Sequence, residues 1–281
     1  ENLRYQNMAT SFTLMLVSSS QALHLQSAVR PAARVRTGVI RCGWGPDPIW
    51  TPNAVATISE AASGLVSLTI PPPEGVAEGF VTPGQYVQIR QPGAEKAGIF
   101  AIASSPSAEG TFEFLIKETP PSDWSPGTGW ITGASAGTEL EMSQVMGGGF
   151  KITGEALEGV DKVLAFAAGS GISPIRSAIE SGALKGKTVS LFYGAQTPAQ
   201  MAYQDKFAEW EKLGVSVTPV ISKPDGTEWA GATGYVQDAA KEAGVPSDCA
   251  IIMCGMKGMA EAVKALASEA GVAEEKVLTN F

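Results

Sequence analysis

Two glycine-rich segments, residues 168–174 and 254–259, have the composition of turns that hold the phosphates of a nucleotide. Each directly follows an apolar run, residues 163–167 and residues 250–253. That order predicts a buried strand, a glycine turn and the start of a helix, and such turns at the carboxyl edge of a parallel sheet bind nucleotides. Glycines let a phosphate approach the backbone N–H groups, and Pro174 suits a first helical turn, where no N–H is needed. A tight strand–helix turn without a ligand is the alternative interpretation.

The composition narrows the chemistry that these turns could serve. The chain has 281 residues, of which 44% are hydrophobic and 17% are charged, as expected for a folded globular protein. No apolar run approaches the roughly 20 residues of a membrane-spanning helix. Three cysteines are too few for a disulfide framework, a four-cysteine metal cage or an iron–sulfur cluster. The single histidine, His24, argues against a histidine metal site or a Ser-His-Asp hydrolase.

The amino-terminal segment has the composition of an organellar transit peptide. Residues 8–46 contain no Asp or Glu but include four arginines and five serines, a pattern typical of such leaders. We predict a transit peptide over residues 1–42, with Met8 as the true start and residues 1–7 as an upstream extension. The predicted destination is the plastid (chloroplast stroma), with the mitochondrion as second choice. A basic arm that binds nucleic acid is the alternative, but the segment has no lysine and is rich in Leu, Val and Ala.

Removal of that leader would make an acidic chain more acidic. The formal net charge is −8, and the loss of five arginines and one glutamate would take it to −12. A polyanionic surface repels nucleic acid and anionic membranes, so neither is expected as a partner. The leader also contains His24, so the mature protein would work without imidazole.

Residues 47–152 predict a small antiparallel β-barrel. Short strand-like runs recur at near-regular spacing between Gly, Pro and Ser clusters, which is typical of such barrels. The predicted strands are residues 54–59, 64–71, 84–89, 100–104 and 111–116, with one short helix at 129–136.

From residue 159 to residue 281 the pattern alternates between strand and helix, which predicts a doubly wound parallel sheet. The predicted strands are residues 163–167, 188–193, 215–221, 249–253 and 277–279, and the predicted helices are 175–181, 201–213, 234–243 and 259–270. The fold class is therefore a two-domain one, a β-barrel followed by an α/β nucleotide-binding domain. The boundary falls between glycines 147–149 and Gly159.

A barrel followed by this α/β domain, with these glycine segments in this order, resembles the ferredoxin–NADP reductase superfamily over residues 50–281. Within it, the chain is most similar to plant plastid FAD/NAD(P)-binding oxidoreductases. The resemblance implies FAD on the barrel and NADP or NAD on the α/β domain. It also implies hydride transfer between NAD(P)H and FAD, with onward electron transfer to an acceptor that the sequence does not identify.

The resemblance places the nicotinamide dinucleotide at the carboxyl edge of the parallel sheet. Cys254 would lie beside the nicotinamide ring in the catalytic site, where its thiol need not act as a nucleophile. Gln196 stands where the family often has an Arg on the adenosine 2′-phosphate, and Ser222 with Lys223 matches a second phosphate-contacting position. NADP is therefore preferred over NAD, with a solvated strand end as the alternative. The residues assigned to the dinucleotide are Gly169, Ser170, Gly171, Ile172, Pro174, Tyr193, Gly194, Gln196, Ser222, Lys223, Gly255 and Met259.

The flavin side departs from the family pattern. The R-x-Y-[ST] motif aligns with Gly98, Phe100 and Ala101, so the Arg charge and the hydroxyl are missing. Phe100 keeps an aromatic ring that can stack on a flavin, and a barrel-core aromatic is the alternative. The residues left to offer backbone hydrogen bonds to the ring edge are Ile102, Ala103 and Ser104.

A second flavin element keeps the family pattern better. Residues 129–132 resemble the G-x-x-[ST] motif, in which a helix start and a hydroxyl hold the FAD pyrophosphate. Phe281 resembles a terminal aromatic that covers the flavin and moves aside for the nicotinamide, and it is assigned to the catalytic site, with a core position as the alternative. The residues assigned to this half of FAD are Lys117, Gly129, Trp130, Ile131 and Thr132.

The sequence leaves the acceptor and two rival functions open. Ferredoxin is acidic and meets such reductases through a basic patch, so a net charge of −12 argues against it. The rivals are a structural or regulatory subunit without turnover and a nucleotide sensor that binds NAD(P)H but no flavin. Gly98 and Ala101 favour the rivals, whereas the retained glycines and Cys254 favour a reductase.

Overall fold

The computed structural model of the protein describes residues 46–123, 125–152 and 157–280. The predicted leader, residues 1–42, and the predicted flavin cover, Phe281, lie outside the described residues. Within the described ranges, no helix combines the length and the apolar character needed to cross a membrane.

Two antiparallel sheets form the amino-terminal half of the described chain. One has the strand order β1-β7-β4-β5 and the other β2-β3-β6. Their strands are β1 (Thr51–Ala54), β2 (Thr57–Ala62), β3 (Leu65–Ile70), β4 (Tyr86–Arg90), β5 (Gly98–Ala101), β6 (Phe112–Lys117) and β7 (Glu139–Met142), and one helical turn, α1 (Gly129–Thr132), precedes β7.

The inward side chains of these strands fill one core between the two sheets. Leu68 and Ile70 of β3, Val87 and Ile89 of β4, and Phe114 of β6 are fully buried in this core. These residues are two apart along their strands, as the alternation of side chains in a strand requires. The sheets therefore form the barrel-like domain that the sequence predicts.

The structure corrects three details of the predicted barrel. The predicted strand over residues 54–59 is divided between β1 and β2, because the strand pairing is interrupted at Val55. The Val55 side chain is buried in the core, and its N–H donates to Thr138 O at 3.0 Å. Strand β7 was not predicted, since only Leu140 and Met142 mark its buried face. Helix α1 ends at Thr132 instead of continuing to residue 136, because Gly133 closes it.

The carboxyl-terminal half is a six-stranded parallel sheet between helices. Its strand order is β11-β10-β9-β8-β12-β13, and every pairing is parallel. The strands are β8 (Lys162–Ala168), β9 (Thr188–Ala195), β10 (Val215–Ile221), β11 (Ala232–Thr233), β12 (Ala250–Cys254) and β13 (Val277–Thr279), and the helices are α2 (Ile172–Glu180), α3 (Phe207–Lys212), α4 (Val236–Ala243) and α5 (Lys257–Glu269).

Burial on both faces explains why β8 is an unbroken apolar run. Val163 and Ala165 face one core, and Leu164 and Phe166 face the core on the opposite side of the sheet. A strand buried on both faces has no polar alternation, as is usual for parallel sheets covered by helices.

The strand order reverses beside β8, and this is where the two glycine segments meet. The chain runs from β8 through β9 and β10 towards one edge, then returns to place β12 on the other side of β8. Cys254 pairs in register with Ala167, so both strands end at the same level. Open α/β sheets bind ligands at such a switch point.

The predicted helix over residues 201–213 is reduced to α3. Two 3₁₀ turns, Pro198–Gln200 and Gln204–Lys206, precede it, and Tyr203 between them has a left-handed φ of 61°. A bulky residue in that conformation is strained, and it interrupts a regular helix. The two-residue strand β11 was also not predicted, because two residues carry no periodic signal.

Candidate functional site

The first glycine segment forms a 3₁₀ turn, Gly169–Gly171, between β8 and α2. Gly169 has a φ of 55°, which favours glycine, and open space lies in front of its Cα. Gly171 is buried, and a side chain there would collide with the main-chain carbonyl of Cys254. The hydroxyl of Ser173, in the first turn of α2, is buried without a hydrogen-bond partner among the residues described. The open space at Gly169 fits a ligand at this turn, and the unsatisfied Ser173 hydroxyl follows four residues further along the chain.

The second glycine segment is held by Met259. A Cβ on Gly255 would lie 2.7 Å from Met259 Cε and 2.9 Å from its Sδ, so the buried methionine occupies the space that a larger residue would need. Gly255 itself is exposed beside the switch point. Met259 therefore supports this turn from inside the core and would act on a dinucleotide only through Gly255.

The Cys254 side chain lies at the end of β12, next to the first turn. Desolvation raises the pKa of its thiol from 9.0 to about 12. The thiol is therefore protonated at neutral pH and is a poor nucleophile. The position of Cys254 beside a nicotinamide ring stays a prediction, in which its thiol would be a neutral neighbour.

The structure corrects the role predicted for Tyr193. Its side chain is fully buried, and its hydroxyl donates to Gly169 O at 3.4 Å and accepts from Ala202 N at 3.2 Å. The side chain of Tyr193 therefore positions the Gly169 turn and does not reach a dinucleotide. Ile172 and Pro174 are likewise buried in α2, so they too can contribute only through the course of the backbone.

The residues predicted to read the adenosine phosphate do come together. Lys223 Nζ donates to Gln196 Oε1 at 3.3 Å, and Lys223 N donates to Gln196 O at 2.8 Å. Ser222 N bonds to Ala195 O at 3.0 Å, so the ends of β9 and β10 are tied side by side. Gln196 and Lys223 are exposed, and together they present one positive charge at the carboxyl edge of the sheet.

On the barrel, the ring of Phe100 covers Gly98. A Cβ on Gly98 would lie 2.5 Å from Phe100 Cζ, so the aromatic ring fills the space in which the family's Arg side chain would begin. Phe100 is 9% exposed and packs with the barrel core. Most of the ring therefore serves the core, and only its exposed rim is available to a ligand.

Two of the three backbone donors predicted for the flavin edge are used inside the protein. Ile102 N donates to Gln85 O at 3.1 Å, and Ala103 N donates to Glu113 O at 2.7 Å. The hydroxyl of Ser104 accepts from Glu113 N at 3.2 Å. The expectation that Ile102 and Ala103 donate to a flavin is therefore wrong for their N–H groups.

The predicted pyrophosphate element is a single helical turn with its hydroxyl engaged. Thr132 Oγ1 donates to Thr128 O at 3.1 Å, and the N–H groups of Ile131 and Thr132 also bond to Thr128 O. Ile131 is fully buried, whereas Gly129 is exposed and has the Glu118 carboxylate nearby. The Thr132 hydroxyl therefore does not donate to a pyrophosphate in this arrangement.

Lysine side chains flank the same region. Lys117 is exposed at the end of β6, and its carbonyl accepts from Thr128 Oγ1 at 2.6 Å. Lys96 Nζ donates to the carbonyls of Ser122 and Asp123 at 3.3 Å and 3.0 Å. Lys96 therefore lies against the loop that leads to α1, and its role as a substitute for the charge missing at Gly98 stays a prediction.

Asn280, directly after β13, supplies an unsatisfied acceptor next to Gly84 of the barrel. It is 2% exposed, its Nδ2 donates to Gly84 O at 3.4 Å, and its Oδ1 has no partner among the described residues. Gly84 adjoins Gln85, which pairs with Ile102. A buried acceptor beside the predicted ring edge fits the N–H group of a flavin ring. The barrel residues therefore fit the flavin ring of FAD better than its pyrophosphate.

An ion cluster around the buried Arg176 connects the α/β domain to the barrel, and the sequence did not predict it. Arg176 of α2 contacts Glu113 of β6 at 2.5 Å and Glu180 at 3.0 Å, with its guanidinium 4.8 Å from the centre of the Tyr203 ring. Burial opposes the charge of Arg176, but the hydrogen bonds that it donates to Glu113 and Glu180 raise its pKa overall. The one available signal was the Arg176–Glu180 spacing of four residues inside an otherwise apolar helix.

The fold and the switch-point turns together define a two-domain nucleotide-binding oxidoreductase. Residues 166–265 match the model of the oxidoreductase NAD-binding domain. The chain is 36% identical over 250 residues to the fruit protein pKIWI502 of Actinidia deliciosa, covering 82% of this chain and 76% of that protein.

Two further comparisons agree with this class. The reductase component of propane 2-monooxygenase from Rhodococcus jostii (strain RHA1) is 30% identical over 158 residues, and the match covers 55% of this chain and 40% of that protein. The crystal structure of a ferredoxin NADP⁺ reductase from Neisseria gonorrhoeae with bound FAD and NADP superimposes with a TM-score of 0.69 at 15% identity, covering 84% of this chain and all of that one. The chain belongs to the ferredoxin–NADP reductase superfamily, a family of FAD-dependent NAD(P)H reductases.

Proposed function

We propose that this protein is a plastid flavin-dependent oxidoreductase that passes hydride between NAD(P)H and FAD and then passes electrons to an acceptor. The observation that carries the proposal is the contact between the two glycine turns at the switch point of β8 and β12. There Gly169 leaves open space, Gly255 is exposed and Ser173 has an unsatisfied hydroxyl.

The residues at the switch point would act by positioning. Tyr193 and Met259 hold the two turns from inside the core, so a dinucleotide would meet a preformed edge. The neutral thiol of Cys254 would pack against the reacting ring without donating or taking a proton. Holding two reacting rings at contact distance can supply much of a rate enhancement without an ionisable group.

On the barrel, the rim of Phe100 and the Asn280 amide oxygen would hold a flavin ring. When bound, FAD supplies the two-electron acceptor that the side chains of this protein lack. Lys96 and Lys117 would be the charges closest to its phosphates. Since Gly98 provides no Arg and Thr132 is engaged with Thr128, we expect FAD to be held mainly by its ring and to exchange readily.

We propose NADP as the preferred nucleotide, because the positive charge of Lys223 would attract the adenosine 2′-phosphate. Lys223 and Gln196 are tied together and exposed at the edge where the adenosine end would lie. A lysine attracts a phosphate as a point charge, without the paired hydrogen bonds of an Arg. The preference over NAD is therefore expected to be modest.

We further propose a protein acceptor and a plastid location. One relative is the reductase component of a monooxygenase, which supports a redox partner on another chain as the acceptor. The Actinidia relative is a plant protein, which agrees with the leader composition of residues 8–42. Fusing residues 8–42 to a fluorescent protein in leaf cells tests the location, and a cytosolic signal would contradict it.

The absorbance spectrum of the protein expressed from Gly43 and loaded with FAD tests the central proposal. We expect flavin bands that survive removal of excess FAD at least in part and that bleach on addition of NADPH, and more slowly of NADH. Bands that do not bleach with either nucleotide would contradict a reductase.

A nucleotide sensor without flavin is the second candidate. The engaged donors at Ile102, Ala103 and Thr132 favour it, because they leave fewer contacts for FAD. A protein that takes up no FAD but binds NADPH in a calorimetric titration would support this candidate. Absence of both ligands would support a purely structural subunit instead.

A further inference from the structure

Arg176 is placed where the two halves of the proposed site can be fixed against each other. It lies in α2, which begins directly after the Gly169–Gly171 turn, and its side chain is only 6% exposed. Its Nη1 meets Glu113 Oε2 at 2.5 Å, across from the α/β domain to strand β6 of the barrel. The Glu113 side chain is 35% exposed, so the buried partner is Arg176. Removal of the Glu113 charge therefore leaves a buried guanidinium with less compensation.

Glu113 is directly bonded to the predicted ring edge. Its carbonyl accepts from Ala103 N at 2.7 Å, and its N–H donates to the hydroxyl of Ser104 at 3.2 Å. The same residue thus carries the carboxylate that holds Arg176 and the backbone that holds the flavin-edge segment. A shift of Glu113 would be transmitted to Ala103 and Ser104.

The Arg176 guanidinium is also bound within its own domain, by Glu180. Both oxygens of Glu180 lie 3.0 Å from Arg176 Nε. Glu180 in turn accepts from Trp210 Nε1 at 3.1 Å and lies 3.8 Å from Lys206 Nζ. With its carboxylate bound from several sides, Glu180 fixes the direction in which Arg176 points.

A second route leads from Arg176 back to the dinucleotide turn. The guanidinium packs on the ring of Tyr203, which is held in a left-handed conformation with a φ of 61°. The preceding residue, Ala202, donates its N–H to Tyr193 OH at 3.2 Å, and Tyr193 OH donates to Gly169 O at 3.4 Å. Strained backbone of this kind persists where the surroundings hold it, and it clusters at functional sites.

We propose that the Arg176–Glu113 ion pair is a positioning latch. It sets the distance between the barrel segment Ala103–Ser104, which follows the flavin-contacting Phe100, and the nicotinamide turn at Gly169. This proposal rests on the proposed function, since it assigns the latch to hydride transfer between the two rings. The latch touches neither ring. Its loss changes the geometry in which the rings meet and leaves the contacts of each separate ligand in place.

The test compares two carboxylate-to-amide variants in the full chain. Glu113→Gln removes the latch charge and keeps the side-chain shape. The control, Glu141→Gln, removes the partner of Arg90, a 2.6 Å ion pair that lies wholly within the barrel, between β4 and β7. Thermal unfolding of both variants shows how much of any effect is a general loss of stability.

In the FAD-loaded protein, we expect Glu113→Gln to slow flavin reduction by NADPH about ten- to a hundredfold in rapid mixing, as a small misplacement of reacting groups does. The Kd for NADP⁺ should change less than about twofold, and the long-wavelength charge-transfer absorbance of the stacked rings should weaken. Glu141→Gln should leave all three within about twofold. Equal slowing in both variants, or no slowing in Glu113→Gln, would overturn the latch.

Hydrogen exchange without any ligand gives a readout that does not depend on turnover. The amides of Ala103 and Ala202 should exchange faster in Glu113→Gln than in the parent protein, while Glu141→Gln leaves them unchanged. Unchanged exchange at both amides would reject the mechanical link. If exchange is faster in Glu113→Gln but NADPH never reduces the flavin of the parent protein, the mechanical link stands and the proposed function is refuted. The assignment of the link to ring spacing then fails with it. If Glu113→Gln fails to fold, Glu113→Asp, which keeps the charge but withdraws it by one methylene, takes its place with the same expected signs.

Discussion

Gly171 lies directly against the main-chain carbonyl of Cys254, and this contact makes one binding edge out of two glycine segments that are far apart in the sequence. A Cβ at position 171 would collide with that carbonyl and would lie 3.0 Å from the Cα of Gly255. The contact exists because β8 and β12 are neighbours in the sheet, with Ala167 and Cys254 in register. The turn after β8 therefore packs directly against the turn after β12.

Gly171→Ala should separate the two turns. The added methyl group can be accommodated only if α2 or β12 moves, and overpacking of this kind costs about 1–3 kcal/mol. We expect NADPH binding to weaken at least about tenfold while the FAD content of the loaded protein is unchanged. Fluorescence titration with NADPH and the flavin absorbance measure the two effects.

Gly148→Ala is the matched control, because no atom lies within 4 Å of a Cβ at that exposed glycine. Parallel loss of FAD and NADPH binding in Gly171→Ala, with normal behaviour in Gly148→Ala, would contradict the assignment of this turn to the nicotinamide nucleotide alone.

Lys223→Ala should change the choice of nucleotide. Loss of a charge-assisted contact to a 2′-phosphate is worth about 1.5 kcal/mol, or about tenfold in affinity. We expect the KM for NADPH to rise about tenfold and the KM for NADH to stay within about twofold. NADH therefore serves as the control within the same preparation. Equal changes for both nucleotides would show that Lys223 contacts a part that they share, or none.

Gly98→Ala should destabilise the barrel through Phe100. The new methyl group would overlap the Phe100 ring, so we expect the free energy of unfolding in urea to fall by about 1–3 kcal/mol. Phe100→Leu in the same chain relieves the overlap, and the double variant should lose less stability than the two single changes added together. Strict additivity would show that the Phe100 ring moves aside without cost.

The Cys254 thiol should be unreactive at pH 8. With a pKa of about 12, its thiolate fraction is on the order of a thousandfold lower than that of an exposed cysteine, so alkylation by iodoacetamide should slow to a similar degree. Mass spectrometry of the labelled protein measures the rate. Since the thiol is not a nucleophile in this proposal, Cys254→Ser should keep NADPH oxidation within a few-fold of the parent protein.

The same thiol should lower stability in alkaline solution. The folded protein holds the Cys254 proton more tightly than the unfolded chain does, so the stability from this group is fully present below about pH 9. It is lost progressively as the pH rises from about 9 towards 12, because the unfolded chain then binds fewer protons. Urea unfolding at pH 8 and pH 10 should therefore show a smaller fall in Cys254→Ala than in the parent protein. An equal fall in both would place the alkaline sensitivity elsewhere.

Much of the fold follows from local patterns that tertiary contacts reinforce. Strands β10 and β13 begin and end at the predicted residues, because their apolar runs are bounded by polar or glycine residues on both sides. Strand β7 and the two-residue β11 were missed, since too few residues carry their pattern. The predicted helix over residues 201–213 failed at Tyr203, which has a left-handed backbone and whose ring is in contact with Arg176 and Trp210.

The sequence by itself determined the class of site: glycine turns after apolar strands at the edge of a parallel sheet, and Gln196 with Lys223 at neighbouring strand ends. These features are local, and the period and order of the residues encode them. Only the tertiary structure decided that Tyr193 supports the Gly169 turn from the core. It also decided that the N–H groups of Ile102 and Ala103 donate hydrogen bonds within the barrel. The same is true of the contact between Arg176 and Glu113. Each of these depends on which groups meet across two domains, and burial then compels them to pair because an unpaired polar group away from water is costly.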